Sequence, residues 1–165
     1  MFDNIDVQGA IKRALLTEKN AMNFYELGAQ QMTSPDAKRV FELLAREERE
    51  HAEQFYAIYR GGDIPSFDLF MESPADFESS WVTALNKVID TDANEQKALE
   101  LAMEKELGLE KTLRETAEKI TDPEISAVFD LNARETRNHY ELIESEYSRL
   151  MGMVHESDMD TFVRE

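Results

Sequence analysis

The two halves of this sequence are related to each other at an offset of 88 residues, and this internal repeat constrains the fold more than any other feature. Between residues 10–59 and 98–147, 16 of 50 aligned positions are identical, including the A-R-E triplets at 45–47 and 133–135. Apolar residues in both copies recur at helical spacing. Two copies of a helical hairpin predict an all-α four-helix bundle.

Apolar periodicity and helix-capping residues predict four long helices. They are expected at about residues 7–32, 35–59, 91–120 and 123–150. Asp6, Ser34 and Asp122 are the expected N-caps, and the prolines that follow Ser34 and Asp122 suit the first position of a helix. The short turns after the first and third helices make each pair an antiparallel hairpin.

The two hairpins are separated by residues 61–90, which is more chain than a direct antiparallel turn needs. A crossover that runs along the bundle would use that length. Within it, Ser73-Pro74 is expected to begin a short helix that carries four apolar residues. These are Phe77, Trp81, Leu85 and Val88. We expect a single domain over residues 1–165, with a C-terminal tail at 151–165.

The composition excludes several functional classes. A formal net charge of -17 argues against binding to nucleic acid or to anionic membranes. The chain has no cysteine, which removes disulfides, thiolate metal sites and iron–sulfur clusters. No apolar run approaches the roughly 20 residues of a membrane span, and the acidic N-terminus shows no signal peptide. We therefore expect a soluble cytoplasmic protein.

Ligand-type side chains interrupt the apolar stripes of three predicted helices. Glu18 lies in the stripe of the first helix, Glu48 and His51 in that of the second, and Glu106 in that of the third. Each of the three glutamates is 15 residues from the threonine of the adjacent turn, which places them at one level, roughly 22 Å along the bundle. His139 repeats the position of His51 on the fourth helix.

This pattern is close to the di-metal carboxylate arrangement, in which two helices supply one glutamate each and two supply Glu-x-x-His. Carboxylate oxygens with imidazole nitrogens suit iron or manganese rather than a soft metal. Without a cation, the like charges would repel each other and raise some of the carboxyl pKa values.

The fourth helix departs from the arrangement. The residue three before His139 is Thr136, and the nearest carboxylate is Glu135, four residues before the histidine. Glu135 shares a helix face with His139, but its direction is rotated by about 100° from the expected one. We include Glu135 among the candidate ligands, with the alternatives that water completes the second metal position or that this position is lost.

Four segments carry a resemblance to a known family: A-R-E-E-R-E-H-A at 45–52, A-R-E-T-R-N-H at 133–139, and A-x3-A-x3-E at 10–18 and 98–106. Together they resemble the rubrerythrin branch of the ferritin-like superfamily, over roughly residues 5–150. The resemblance implies a ferritin-like fold, two iron ions and reduction of hydrogen peroxide in the cytoplasm, with manganese or mixed metal as variants. We also expect a homodimer.

The resemblance carries over the metal ligands Glu18, Glu48, His51, Glu106 and His139, and it implies that Tyr25 hydrogen-bonds a ligand carboxylate. It is incomplete at three points. Thr136 replaces a glutamate, and Leu109, beside Glu110, replaces a further glutamate one turn beyond the third-helix ligand. Full-length rubrerythrins also carry a four-cysteine rubredoxin centre. Because this chain has no cysteine, a separate electron-donor protein is implied.

Three functions agree with these patterns. The first is a non-haem di-iron oxidoreductase that reduces peroxide, or reacts with dioxygen, in oxidative-stress defence. The second is iron handling by oxidation or binding of ferrous iron, which the net charge of -17 favours. The third is a helical scaffold without catalysis, in which Thr136 marks a degraded metal site.

Overall fold

Six helices make up the chain in this computed structural model, which describes residues 6–89 and 94–163, with side chains in the second part only for 95–152. The helices are α1 (Val7–Gln31), α2 (Pro35–Ile58), α3 (Phe67–Glu72), α4 (Ser80–Ile89), α5 (Asn94–Lys119) and α6 (Pro123–Val163). No strand occurs within these described ranges. The four long helices form two hairpins joined by a crossover, which is the connectivity of ferritin-like bundles.

The three predicted N-caps are confirmed. The side chain of Asp6 accepts a hydrogen bond from the backbone of Gly9 at the start of α1. Ser34 accepts one from Ala37 at the start of α2, and Asp122 accepts one from Glu124 at 2.9 Å at the start of α6. Each cap satisfies a backbone N–H that the first turn of a helix leaves without a partner.

The hairpins α1/α2 and α5/α6 pack against each other through α2 with α6 and through α1 with α5. Phe55 of α2 meets Phe129 of α6 edge to face, with ring centroids 4.9 Å apart. Around the level of α1 residues 24 and 25, a second aromatic cluster fills the core; its members are Phe24, Tyr25, Phe41 and Trp81. These aromatic contacts pack the helices together through their interior side chains.

The crossover differs from its prediction. Residues 67–72 form α3, which the sequence did not predict, and the following helix begins at Ser80 rather than at Ser73-Pro74. The buried ammonium of Lys19 explains the difference, because it donates hydrogen bonds to the carbonyl oxygens of Ser73, at 3.0 Å, and Pro74, at 3.3 Å. These two bonds tie residues 73–74 to α1, and the backbone at Ser73 is extended rather than helical.

The helix α4 covers the seam between α1 and α5. It buries Trp81 and Leu85 as predicted and also Val82, and Val88 is half-buried, whereas Phe77 lies before the helix and is 59% exposed. Trp81 packs on Phe24 of α1, and the ammonium of Lys105 on α5 lies 5.7 Å from the centroid of the Trp81 ring system.

The last helix is longer than predicted. We expected its end near Leu150, but α6 continues to Val163 and includes most of the region predicted as a tail. Gly152 does not end the helix, because a single glycine lowers helix stability only by about 1 kcal/mol and no proline follows it. The predicted start of the third helix at Thr91 lies outside the described residues. Among the helices of the described ranges, none has the length and apolarity that a bilayer crossing requires.

Gly28 of α1 packs directly against Phe41 of α2, and this contact generates a prediction about stability. A Cβ atom at Gly28 would lie 2.6 Å from the ring of the fully buried Phe41. We expect Gly28→Ala to destabilise the fold, because overpacking of roughly 1–3 kcal/mol exceeds the helix-propensity gain of about 0.5–1 kcal/mol. The measurement is the free energy of unfolding in urea.

The control for this prediction is Gly108→Ala on α5, where nothing lies within 4 Å of the new Cβ atom. That variant should be stabilised by about 0.5–1 kcal/mol. Equal stabilisation of both variants would contradict the close helix contact at Gly28.

Candidate metal centre

The four long helices bring five ligand-type side chains together in the interior of the bundle. Glu18 comes from α1, Glu48 and His51 from α2, Glu106 from α5 and His139 from α6. The three glutamates are 0% exposed and the two histidines 2% exposed. Five of the six candidate metal ligands therefore meet at the level that counting from the turns predicted.

Glu48 occupies the middle of this cluster. Its Oε1 lies 3.0 Å from Nδ1 of His51 and 3.7 Å from Nδ1 of His139. On one side, Glu18 Oε1 lies 3.7 Å from Nδ1 of His51. On the other side, Glu106 Oε1 lies 3.6 Å from Nδ1 of His139. The cluster thus consists of two half-sites, each with one glutamate and one histidine, that share Glu48.

Most polar atoms of the cluster have no hydrogen-bond partner. Both oxygens of Glu18 and of Glu48, Oε2 of Glu106, and Nδ1 of each histidine are buried and unpartnered. When the His51 ring is neutral with its proton on Nε2, Nδ1 and Oε1 of Glu48 face each other at 3.0 Å as two acceptors. A buried ionised carboxylate without compensation costs several kcal/mol or more, so this arrangement fits a bound cation. One donor atom each from Glu48, His51 and His139 lies within 4.8 Å of the others, a spacing that suits a metal ion.

The pKa values show how strongly the buried charges interact in the metal-free protein. Burial raises the pKa of Glu48 well above its usual 4.5, and the charges of Glu18 and Glu106 raise it further. Burial alone would lower the pKa of His51, but the carboxylates of Glu18 and Glu48 outweigh it and raise that pKa to about 12. For His139, burial is likewise outweighed by Glu48 and Glu106, which raise the pKa to about 9.

The outer nitrogens of both histidines bond carboxylates of the opposite hairpin. Nε2 of His51 lies 2.9 Å from Glu135 Oε1, and Nε2 of His139 lies 2.9 Å from Glu47 Oε1. The imidazole rings stack, with centroids 5.0 Å apart and 11° between their planes. Because a carboxylate at Nε2 keeps the proton there, the lone pair of a neutral ring lies at Nδ1 and faces the glutamate cluster.

This geometry separates Glu135 from the other candidate ligands. Its side chain is 39% exposed and contacts the outer side of His51, whereas the buried carboxylates face the inner side. The symmetric residue Glu47, 40% exposed, was not among the candidates. The sequence did contain an indication of this role, because Glu47 and Glu135 occupy equivalent positions in the A-R-E triplets of the repeat.

Tyr25 links the two hairpins at the edge of the centre. Its hydroxyl on α1 donates a hydrogen bond of 2.6 Å to Oε1 of Glu106 on α5. The tyrosine is 0% exposed, and burial together with the charge of Glu106 raises its pKa well above 10.0. The phenol therefore stays protonated and holds one oxygen of Glu106 in place.

At two positions where the sequence departs from the expected glutamate, no other carboxylate takes its place inside the centre. Thr136 occupies the repeat position of Glu48, is 0% exposed, and its hydroxyl has no hydrogen-bond partner. Leu109 is buried, and the neighbouring Glu110 turns away to Arg114, at 2.9 Å, and Arg137, at 3.5 Å. The structure thus places three carboxylates and two histidines in the centre.

Comparison with known proteins agrees with this donor set. The family model for rubrerythrin matches residues 10–147, a range that contains all five buried ligand-type residues and most of both hairpins. No curated protein and no solved structure is matched by this chain. The family match spans most of the sequence, and the chain therefore belongs to the rubrerythrin family.

Proposed function

We propose that this protein is a non-haem di-iron oxidoreductase that reduces hydrogen peroxide. The observation that carries the proposal is the pair of half-sites that share Glu48. Glu18 with His51 would hold one iron, and Glu106 with His139 would hold the other. Oxygen and imidazole donors suit iron and also manganese, so a mixed-metal centre is compatible with the same residues.

Iron held by these residues would supply the two-electron ferrous and ferric redox chemistry that reduction of peroxide requires. Reduction of hydrogen peroxide to two molecules of water consumes two electrons and two protons. The chain contains no cysteine to hold an electron-transfer centre, so a separate donor protein would return the electrons. The surrounding residues exclude bulk water, since the three carboxylates of the centre are 0% exposed.

Neighbouring side chains would orient the histidines and Glu106 for metal binding. Glu47 and Glu135 fix the proton of each histidine on Nε2 and direct Nδ1 inward. Tyr25 would act as a positioning residue that keeps its proton toward Oε1 of Glu106. Glu106 then retains Oε2, which has no hydrogen-bond partner, as the oxygen available to a metal.

Iron handling is the alternative for which an observation exists. A net charge of -17 attracts cations, and the same buried carboxylates could bind ferrous iron, either to sequester it or while peroxide or dioxygen oxidises it, without repeated turnover of peroxide. The two functions differ in one respect. A peroxidase consumes peroxide repeatedly when electrons are supplied, whereas an iron-oxidising protein consumes it only in proportion to the ferrous iron added.

The central position of Glu48 predicts that one substitution disables both half-sites. We expect Glu48→Ala, reconstituted anaerobically with ferrous iron and desalted, to retain far less than two irons per chain and to lose peroxide reduction. Glu53→Ala, which removes an exposed glutamate of the same helix, should behave like the unchanged protein. Metal per chain by mass spectrometry and peroxide consumption are the two measurements. Full activity of Glu48→Ala would contradict the proposal.

The raised pKa values predict how pH affects the metal-free protein. Glu48, His51 and His139 all bind protons more tightly in the folded than in the unfolded chain. Because the folded state then holds more protons, its stability must fall as pH rises. For His139, the loss spans its usual 6.5 to its folded value of about 9.

We expect the urea midpoint, measured with a chelator present, to decrease between pH 6.5 and pH 9. In Glu48→Gln the decrease should be smaller, because the neutral side chain no longer raises the histidine pKa values. In Glu53→Gln it should be unchanged. A midpoint that rises over this interval would show that the buried charges are not coupled as described.

The contact between Tyr25 and Glu106 predicts a change in function without loss of the fold. Tyr25→Phe keeps the ring that packs on Phe24 and Phe41 but removes the hydroxyl. We expect metal affinity or the rate of peroxide reduction to fall by about 10–100-fold, as is typical when a partner of a ligand carboxylate is removed. Tyr140→Phe, which loses only an exposed bond to Glu144, is the control, and equal behaviour of the two variants would refute the role of Tyr25.

A further inference from the structure

Trp81 is the only tryptophan of the chain, and its ring forms part of the wall of a surface groove. The groove has a volume of about 450 Å³ and is lined by residues of α1, of the start of α4 and of α5. Thr17, Ser80 and Lys105 are among the residues beside Trp81 in its lining. Only 5% of Trp81 is exposed, so the groove gives access to an edge of the ring while the rest lies in the core.

The inner side of Trp81 is connected to a metal ligand. The Trp81 ring packs against the ring of Tyr25, with centroids 6.3 Å apart and 61° between their planes. The Tyr25 hydroxyl donates its hydrogen bond of 2.6 Å to Oε1 of Glu106. One ring contact and one hydrogen bond therefore lead from the groove to a carboxylate that would hold iron.

Such a series of contacts suits the transfer of electrons. The proposed reaction requires two electrons for each peroxide, and the carboxylates of the centre are 0% exposed, so a donor outside the bundle cannot touch the metal. The rate of electron tunnelling falls steeply with the width of each gap between bonded groups, and closely packed rings and short hydrogen bonds keep those gaps narrow. Neither ring has to be oxidised for this transfer, so the phenol of Tyr25 keeps its proton.

The α2/α6 side of the centre is less suited to a donor that carries negative charge. The carboxylates that cover the outer nitrogens of the histidines there, those of Glu47 and Glu135, are 40% and 39% exposed. At the groove, the charge of Glu104 is balanced by Lys105, whose ammonium lies 5.7 Å from the centroid of the Trp81 ring system. An anionic donor is therefore repelled at the α2/α6 side and admitted at the groove.

We propose that the groove at Trp81 is the surface on which the separate electron donor presents its redox group, and that electrons pass through Trp81 and Tyr25 to the metal held by Glu106. In each transfer the donor loses one electron and one ferric ion becomes ferrous. Two transfers return the electrons that one peroxide consumes, and no covalent bond forms or breaks. Trp81 is thus a positioning residue for electron entry. This inference rests on the proposed function, because it requires redox-active iron in the centre.

The test separates the two half-reactions in the full chain loaded with iron. Iron per chain is measured first. Ferrous protein is then mixed with peroxide, and ferric protein with the sulfur dioxide radical anion from dithionite, a one-electron donor, while the ferric absorption is recorded. We expect Trp81→Leu to slow reduction by the donor severalfold and to leave oxidation by peroxide unchanged. Phe129→Leu, which removes a buried ring that packs on Phe55 instead of on Tyr25, should leave both rates unchanged.

Two further measurements do not depend on whether Trp81→Leu folds. In the metal-free, unchanged protein, acrylamide should quench the fluorescence of Trp81, because the groove exposes an edge of its ring. In the loaded protein, Lys105→Gln should slow reduction by the radical anion, whereas Lys111→Gln, at an exposed lysine of the same helix, should not. If Trp81→Leu folds, adding it to Tyr25→Phe should slow reduction less than it does alone, since residues on one route are not additive.

The outcomes distinguish this route from the proposed function. The route is refuted and the proposed function stands if Trp81→Leu is reduced as fast as the unchanged protein, or if it slows both half-reactions equally, as a structural defect would. The same conclusion follows if acrylamide does not quench Trp81 or if Lys105→Gln is reduced at the unchanged rate. If the unchanged protein retains no iron, or if peroxide does not oxidise its ferrous form, the proposed function is overturned together with the inference.

Discussion

The structure depends on the burial of three carboxylates inside a bundle of helices. Glu18, Glu48 and Glu106 are fully buried, and five of their six oxygens lack a hydrogen-bond partner. In a low-dielectric interior this arrangement opposes folding unless a cation compensates it. The apolar packing around the cluster therefore holds the helices together against this repulsion. It also fixes the ligand-type side chains at distances that metal ions can bridge.

The internal repeat explains how so small a chain builds the centre. Each hairpin contributes the same three elements: a glutamate on its first helix, a histidine on its second, and an outer glutamate that bonds the histidine of the other hairpin. These cross-contacts make each half-site depend on both hairpins. Among the ligand-type positions of the centre, the two copies differ at Glu48 against Thr136, and this difference makes the centre asymmetric.

Much of this centre was predictable from the sequence, because turn positions and helical rise fix the level of each residue along a bundle. The levels of Glu18, Glu48 and Glu106 followed from their equal distances to the two turns. The direction of the Glu135 side chain was harder to predict, because a shift of one residue along a helix rotates a side chain by about 100°. The structure shows the Glu135 carboxylate at Nε2 of His51. The crossover was predicted in length but not in detail. Its course depends on Lys19 and the carbonyls of Ser73 and Pro74, a long-range contact that periodicity does not contain.

The most direct test of a two-metal centre built around Glu48 is anomalous diffraction at the iron absorption edge from crystals of the iron-loaded protein. We expect two peaks, one on the side of Glu18 and His51 and one on the side of Glu106 and His139, about 3.5–4 Å apart as in other two-metal sites. A single peak would contradict the two-metal centre. So would a peak from a metal ion held by Glu47 and Glu135 at the surface rather than by the buried carboxylates.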